Sequence, residues 1–203
     1  MQLTSVNYLY THDRYPYQLS FVNVIFAHDT EDGLDCLVAL VNSHDGEEHL
    51  PDIATLSAFL KERGWTGRRD GTDAELRAVR ALRPKLRQFW ELDEDGVVEL
   101  VNTLLRDARA LPQLVKHDGW DYHLHATSSD TPLATRMAVE AAMAVLDLVR
   151  GKELARLRTC EYPDCSRVLV DLTKNRSKRF CDGGCGNRAA VEAYRARAKK
   201  QRR

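Results

Sequence analysis

No stretch of this 203-residue chain approaches the roughly 18–20 consecutive apolar residues that a membrane-spanning helix needs. Its start, Met1-Gln2-Leu3-Thr4-Ser5, has no basic segment leading into an apolar run, so a secretory leader is not expected. Also missing are G-x-S-x-G, a P-loop, a dinucleotide-binding glycine fingerprint and H-E-x-x-H, which leaves the enzyme classes they mark without a candidate. The chain is therefore expected not to be an enzyme. Internal repeats are absent too, which argues against a stacked-repeat architecture. These absences together favour a cytoplasmic protein. Thiols stay reduced in that compartment, so clustered cysteines there are metal ligands before they are disulfides.

Net charge is lacking as well, with 30 Lys+Arg against 30 Asp+Glu, but the balance conceals an asymmetry. Residues 151–203 hold 15 basic and 6 acidic side chains, net +9, and residues 1–150 are net −9. An acidic body joined to a basic terminal module suggests a module aimed at a polyanion. The length suits one medium domain with a small addition. The expected division is a mainly α N-terminal domain with a small β-hairpin over 1–152 and a cysteine-bearing module over 153–203.

Helical periodicity dominates residues 50–150. Ile53, Leu56, Phe59 and Leu60 form one apolar face, and Gly64 ends it. Thr72-Asp73-Ala74-Glu75 reads as a capping box opening a helix with Leu76, Val79, Leu82, Leu86 and Phe89 on its apolar face. Pro84 lies inside that pattern and should kink or split it. Val97, Val101, Leu104, Leu105 and Ala108 mark a third helix. Gln113–Val115 and Asp121–His125, separated by the turn pair Asp118-Gly119, read as a β-hairpin. Thr131-Pro132, as N-cap and first-turn proline, opens the clearest helix, with Leu133, Met137, Ala141, Ala144, Val145 and Leu148 on its face. The apolar runs Leu19–Phe26 and Leu34–Val41 are open to helix or strand.

Four of the five cysteines, Cys160, Cys165, Cys181 and Cys185, are spaced C-x4-C, fifteen residues, C-x3-C. Two close pairs at this separation are a zinc pattern, because each pair on a tight turn supplies two thiolates to one tetrahedral ion. Four cysteines close the coordination shell, which points to a structural rather than a catalytic metal. The chain between the pairs must double back. Val168–Leu172 and Ser177–Phe180 are expected as two short strands around Lys174-Asn175. A helix follows from about Gly186. Knuckle, hairpin and helix make a treble-clef-like arrangement. Cys36, alone in an apolar run, reads as a small buried side chain.

The string Cys185-Gly186-Asn187-Arg188, preceded by Cys160-x4-Cys165 and by Asp171-Leu-Thr-Lys-Asn-Arg-Ser-Lys-Arg-Phe-Cys181, resembles the CGNR zinc-finger family of bacterial proteins. Leu19-Ser20-Phe21-Val22-Asn23 and Leu50-Pro51-Asp52 are similar to segments of the domain usually found ahead of that finger. The likeness is strong over 157–195 and loose before it. It implies a stress-induced transcription regulator. The family often places a basic residue after CGNR-Ala, and here Ala190 stands there, so one candidate phosphate contact is absent.

A metal-held scaffold needs something to present. Arg188, Arg195, Lys199 and Arg202 fall on one helical stripe, and Ala190 or Val191, Tyr194 and Ala198 on another suited to packing on the finger. Glu192 is spaced to pair with Arg188 or Arg195. Lys174, Arg176, Lys178 and Arg179 add charge before the helix, and Arg197 and Lys200 add charge on it. Such residues bind phosphate with little sequence information. DNA is the expected partner, with RNA binding or protein docking as alternatives, since the fold serves all three. Arg188 has a second reading, bracing the finger against local backbone. For the N-terminal domain, dimerisation and the sensing of a small molecule are expected roles. His123 and His125 would share one face of a strand, beside Trp120 and Tyr122, either lining a pocket or metal site or forming ordinary hairpin surface.

Overall fold

The computed structural model describes residues 26–116 and 122–201. Among the described residues, six α-helices and two pairs of short antiparallel strands follow one another. They are α1 (His28–Asn42), α2 (Ile53–Glu62), α3 (Asp73–Arg87), α4 (Glu94–Asp107), β1 (Gln113–Val115), β2 (His123–His125), α5 (Leu133–Arg150), β3 (Leu157–Thr159), β4 (Val168–Val170) and α6 (Cys185–Gln201). The fold is mainly α with a small hairpin, followed by a small four-cysteine finger. Among the described residues no helix is long and apolar enough to cross a membrane.

Helix α5 is the hub and packs against α1, α3 and α4. Its buried face alternates large and small residues: Leu133, Met137, Ala141, Ala144, Val145 and Leu148 are all at most 4 % exposed. The alanines let α1 come close. A Cβ on Gly33 of α1 would meet the Ala144 Cβ at 3.0 Å, so the smallest residue sits at the tightest point of that crossing.

The expected starts and stops are present with local differences. Thr72 caps α3 by accepting from the Glu75 backbone N–H at 3.2 Å. Glu75 reaches back to the N–H groups of Asp70 and Gly71 rather than to the cap residue itself. Gly64 ends α2 with φ +67°. Pro84 does not divide α3, which runs through it to Arg87 and continues into a 3-10 turn over Gln88–Trp90. Buried Leu82 and Leu86 hold the last turn against the core, and packing outweighs the one backbone bond that proline cannot make. Helix α5 begins one residue later than expected, with Pro132 at its N-cap. Leu34–Val41 is helical, within α1. Of the earlier apolar run only Phe26 is described, and it is buried; Leu19–Ile25, Asp118-Gly119, Trp120, Arg202 and Arg203 lie outside the described residues.

The largest correction falls within the finger. Residues 177–180 do not form a strand with 168–172. Strand β4 pairs instead with β3, in the register Leu157↔Val170 and Thr159↔Val168. The reason lies with Asp171, which is fully buried. Its carboxylate accepts from the Thr173 N–H at 3.0 Å, the Thr173 hydroxyl at 2.6 Å and the Lys178 N–H at 2.8 Å. That carboxylate clasps the 171–178 loop upon itself, and its backbone donors are spent there rather than on a ladder. Arg156 closes the clasp from below with bonds to the Asp171 and Thr173 carbonyls.

Strand β4 belongs to both parts of the molecule. Val168 and Val170 join the helical core, whereas Leu169, on the other face, packs with the cysteines. The Asn42 side chain at the end of α1 makes two bonds of 2.8 Å to the Val168 backbone, donating to its carbonyl and accepting from its N–H. Trp90 Nε1 donates to the Leu169 carbonyl at 3.0 Å, and Arg87 to that of Ser166 at 2.7 Å.

Candidate metal centre and nucleic-acid surface

The four cysteines converge as their spacing requires. Cys160 directly follows β3, and Cys165 sits at the end of a turn in which its N–H bonds to the Tyr162 carbonyl. Asp164 takes φ +61° in that turn. Cys181 precedes α6, and Cys185 is its first residue. All four sulfurs lie within 4.8 Å of one another, and Cys160, Cys181 and Cys185 are buried. The Cys165–Cys181, Cys181–Cys185 and Cys165–Cys185 sulfur separations are 3.8, 3.6 and 3.6 Å. Disulfide bonds require about 2.05 Å, so these are not disulfides. A tetrahedron of thiolates at about 2.3 Å from a central ion has edges of about 3.8 Å. The observed edges fit that figure, so the cluster suits a metal ion.

The electrostatics agree. Burial pushes the Cys181 thiol up to about 12, reinforced by its three sulfur neighbours. Burial also opposes the Cys160 thiolate, but hydrogen bonds from the Cys181 and Tyr162 backbone N–H groups and from the Cys165 and Cys181 thiols together outweigh it and bring Cys160 down to about 7. Four thiolates this close repel one another, and a cation at their centre offsets that repulsion.

Around the cluster the side chains are committed. Arg188 donates to the Cys185 sulfur at 2.9 Å and lies over the Tyr162 ring at 4.7 Å. The Tyr162 hydroxyl donates to Glu192 at 2.6 Å, so Glu192 serves the finger rather than pairing with Arg188 or Arg195. Cys36 lies in the helical body, half-buried, away from the cluster.

The basic residues divide into two groups. Arg176 pairs with Glu153 at 2.7 Å, Lys178 with Asp182 at 3.1 Å and Arg179 with Glu161 at 2.6 Å. Their charge is largely spent within the finger. Lys174, Arg195, Arg197, Lys199 and Lys200 have no ion pair among the described residues and are exposed. Four of these stand on α6, which leaves the finger as a helix open almost all round. Val191 and Tyr194, expected to pack on the finger, are instead 47 % and 67 % exposed.

His123 and His125 do share a face of β2. Their Nε2 atoms are 3.0 Å apart, and they line a cleft in the body. Sequence reasoning passed over the other residues of that cleft, among them Arg63, Trp65 and Glu140, because they come from separate elements. It also passed over Asp171 as the clasp, although Asp171-Leu172-Thr173 carries the local signature of a carboxylate bonding the backbone two residues on.

The fold and site define a two-part protein, a helical body carrying a four-cysteine finger with an exposed basic helix. Residues 34–152 match the ABATE family model, described as "Putative stress-induced transcription regulator", and residues 156–198 match the CGNR zinc finger model. The chain belongs to the ABATE family and carries a CGNR zinc finger. A search of curated proteins finds no match.

Proposed function

We propose that the protein is a DNA-binding transcription regulator whose Cys160, Cys165, Cys181 and Cys185 hold one structural zinc ion and whose α6 meets the DNA. Zinc is the ion of choice for four thiolates in a tetrahedron, and in such a closed shell it supplies cross-linking rather than catalysis. The residues around it orient α6: Cys185 anchors the first turn, Arg188 neutralises its sulfur, and the Tyr162–Glu192 bond ties the second turn back. The observation that carries the reading is the set of cations without an ion pair among the described residues, Arg195, Arg197, Lys199 and Lys200, on a helix that starts at the metal cluster. Lys174 extends the same charge. We read residues 1–152 as the body and 153–203 as the finger, in a cytoplasmic, non-enzymatic protein.

The test is duplex binding by the intact protein against a variant with Arg195, Lys199 and Lys200 changed to Glu, over a genomic fragment pool. About four phosphate contacts would give a slope of roughly −3.6 for log K against log[salt]. Equal, salt-insensitive affinity in the two proteins would eliminate the surface, and excess RNA that competes away the duplex would redirect it to RNA. A second reading, docking to a protein, is favoured by the exposed Val191 and Tyr194 side by side on α6. A stable co-purifying partner lost on Tyr194→Ala would support it.

A further inference from the structure

Helix α6 presents a face that the finger does not use. Successive residues of an α-helix turn by about 100°. On that wheel one side of α6 is turned to the finger. It is marked by Arg188 and Glu192, which bond to the Cys185 sulfur and the Tyr162 hydroxyl, and by Gly186, where a Cβ would meet the Phe180 ring at 3.6 Å. On the far side lie Asn187, Val191, Tyr194, Ala198 and Gln201, spaced i, i+4, i+7, i+11 and i+14. All are exposed except Ala198, which is half-buried. We infer that this face lies along the major groove of duplex DNA, where Asn187, Val191 and Tyr194 read A·T base pairs. The inference rests on the DNA-binding function proposed for the protein and names the surface that reads sequence.

The charges around the face are arranged for a groove. Arg195 and Lys199 stand on one flank, about 80° and 120° from its centre, and Arg197 and Lys200 on the other, about 80° and 140° from it. Cations on both flanks suit a channel walled by phosphates on each side, whereas contact with a single strand needs them on one flank only. The major groove of B-DNA, about 12 Å wide, admits a helix about 10–12 Å across, and the minor groove, about 6 Å wide, does not. No carboxylate stands on the face to repel phosphates. Glu192, the one acidic residue of α6, is held by the Tyr162 hydroxyl at 2.6 Å on the finger side. A second copy of the helix fits worse, because pairing two such faces would bring the flanking arginines of both copies together with only Val191 and Tyr194 to bury.

The side chains of the face match the edges of A·T pairs. A carboxamide such as that of Asn187 or Gln201 can bond to adenine N6 and N7 together, and apolar groups meet the thymine methyl. Cytosine N4 is a donor best met by a carboxylate, which the face lacks. Val191 and Tyr194 join neither of the protein's hydrophobic clusters, so their apolar surface is left for a partner to cover. From Asn187 to Ala198 the face runs about 16 Å, which spans about five base pairs.

The experiment is selection of sites from a random-sequence duplex pool by the full-length, zinc-loaded protein, followed by fluorescence anisotropy on the selected duplex. A preferred site of about five base pairs that includes A·T pairs is expected. Thymines of that site are then replaced one at a time by uracil, which removes only the 5-methyl group. At one position or more this should weaken binding by the unaltered protein about fourfold, the effect of one buried methyl. In Val191→Ala or Tyr194→Ala the same replacement should cost nothing further. Asn187→Ala should lose about tenfold in discrimination at one adenine, with the salt slope unchanged. All three variants change exposed residues, and their zinc content checks that the finger is intact. Salt-dependent duplex binding with no preferred site, or with none of its thymines sensitive to uracil, would overturn this inference and leave the DNA-binding function standing. No duplex binding by the intact protein at low salt would overturn both. A co-purifying protein lost in Val191→Ala and Tyr194→Ala, with duplex binding unchanged, would give the face to that protein and overturn the inference as well.

Discussion

The Arg188 guanidinium donates from Nη2 to the sulfur of Cys185, one helical turn before it, at 2.9 Å. It thereby joins the metal cluster to the Tyr162 ring beneath it. Arginine can do both at once because its planar fork offers a donor edge and a stacking face, which lysine's ammonium does not. Arg188→Ala should lower metal affinity by about 10–100-fold, the usual cost of losing a group that orients and neutralises a ligand. Competition with a chromophoric chelator measures this. Arg188→Lys should recover only part of the loss, and DNA affinity at saturating zinc should fall less than in Arg195→Glu. Unchanged metal affinity in Arg188→Ala would return Arg188 to the DNA-contacting set.

Freshly purified, reduced protein should contain one equivalent of zinc by elemental analysis. Cys181→Ser should lose it and Cys36→Ser should keep it. Small structural zinc sites contribute roughly 10–16 kcal/mol of apparent binding energy, and a module of this size has little core to replace it. Chelation should therefore unfold the segment that carries Cys160–Cys185 while most far-UV helix signal persists, since α1 to α5 share their own core.

The two bonds from Asn42 to the Val168 backbone are buried, and each loses its partner in Asn42→Ala. Leaving two buried backbone groups unpaired should cost about 2–6 kcal/mol. Urea denaturation of the zinc-loaded protein measures it. Trp90, bonded to Leu169, should report loosening of β4 in its fluorescence.

Glu48 forms a two-pronged pair with nearly buried Arg83, at 2.8 and 2.6 Å. Arg83 holds the Glu48 carboxyl down at about 2, against an ordinary 4.5. Because the folded value is depressed, the pair stabilises fully above pH 4.5, and the contribution is lost as pH falls from there towards 2. Its ceiling is about 3 kcal/mol, reduced by solvent reaching the carboxylate. Glu48→Gln should flatten that part of the stability curve and lower the plateau above it.

Charge swaps should separate spent from unspent cations. Lys199→Glu on α6 should weaken duplex binding, and neutralising Lys199 should reduce the salt slope by about 0.9 if one phosphate contact is lost. Arg179→Glu should act mainly on the finger, by opposing Glu161, and lower its thermal stability more than it changes the slope. Fluorescence anisotropy over a salt series gives both slopes.

Local patterns were legible wherever a short segment determines its own geometry. The helical faces of 53–60, 76–86 and 97–104, the Thr72 cap, the Gly64 stop and the four-cysteine spacing need only neighbours within a few turns to be read. The family resemblance was legible for the same reason, since CGNR and its preceding motif are contiguous. Partnership over distance was not. Strand β4 could have paired forwards or backwards, and the buried Asp171 clasp decided for β3. Arg176, Lys178 and Arg179 looked like free charge until Glu153, Asp182 and Glu161 were brought beside them. Val191 and Tyr194 had an apolar rhythm but no surface to meet, because α6 leaves the finger. The cleft draws on α1, the α2–α3 connection, β2 and α5, whose residues lie up to about a hundred positions apart, and no periodicity encodes such a meeting. By itself the sequence determined the helices after residue 50, the cysteine ligand pattern and the basic module, because these rest on backbone periodicity and close spacing, whereas the short apolar run inside α1 was compatible with either helix or strand. Only the tertiary structure decided which charges remain available and where a cleft lies, because both depend on what long-range packing places opposite each side chain.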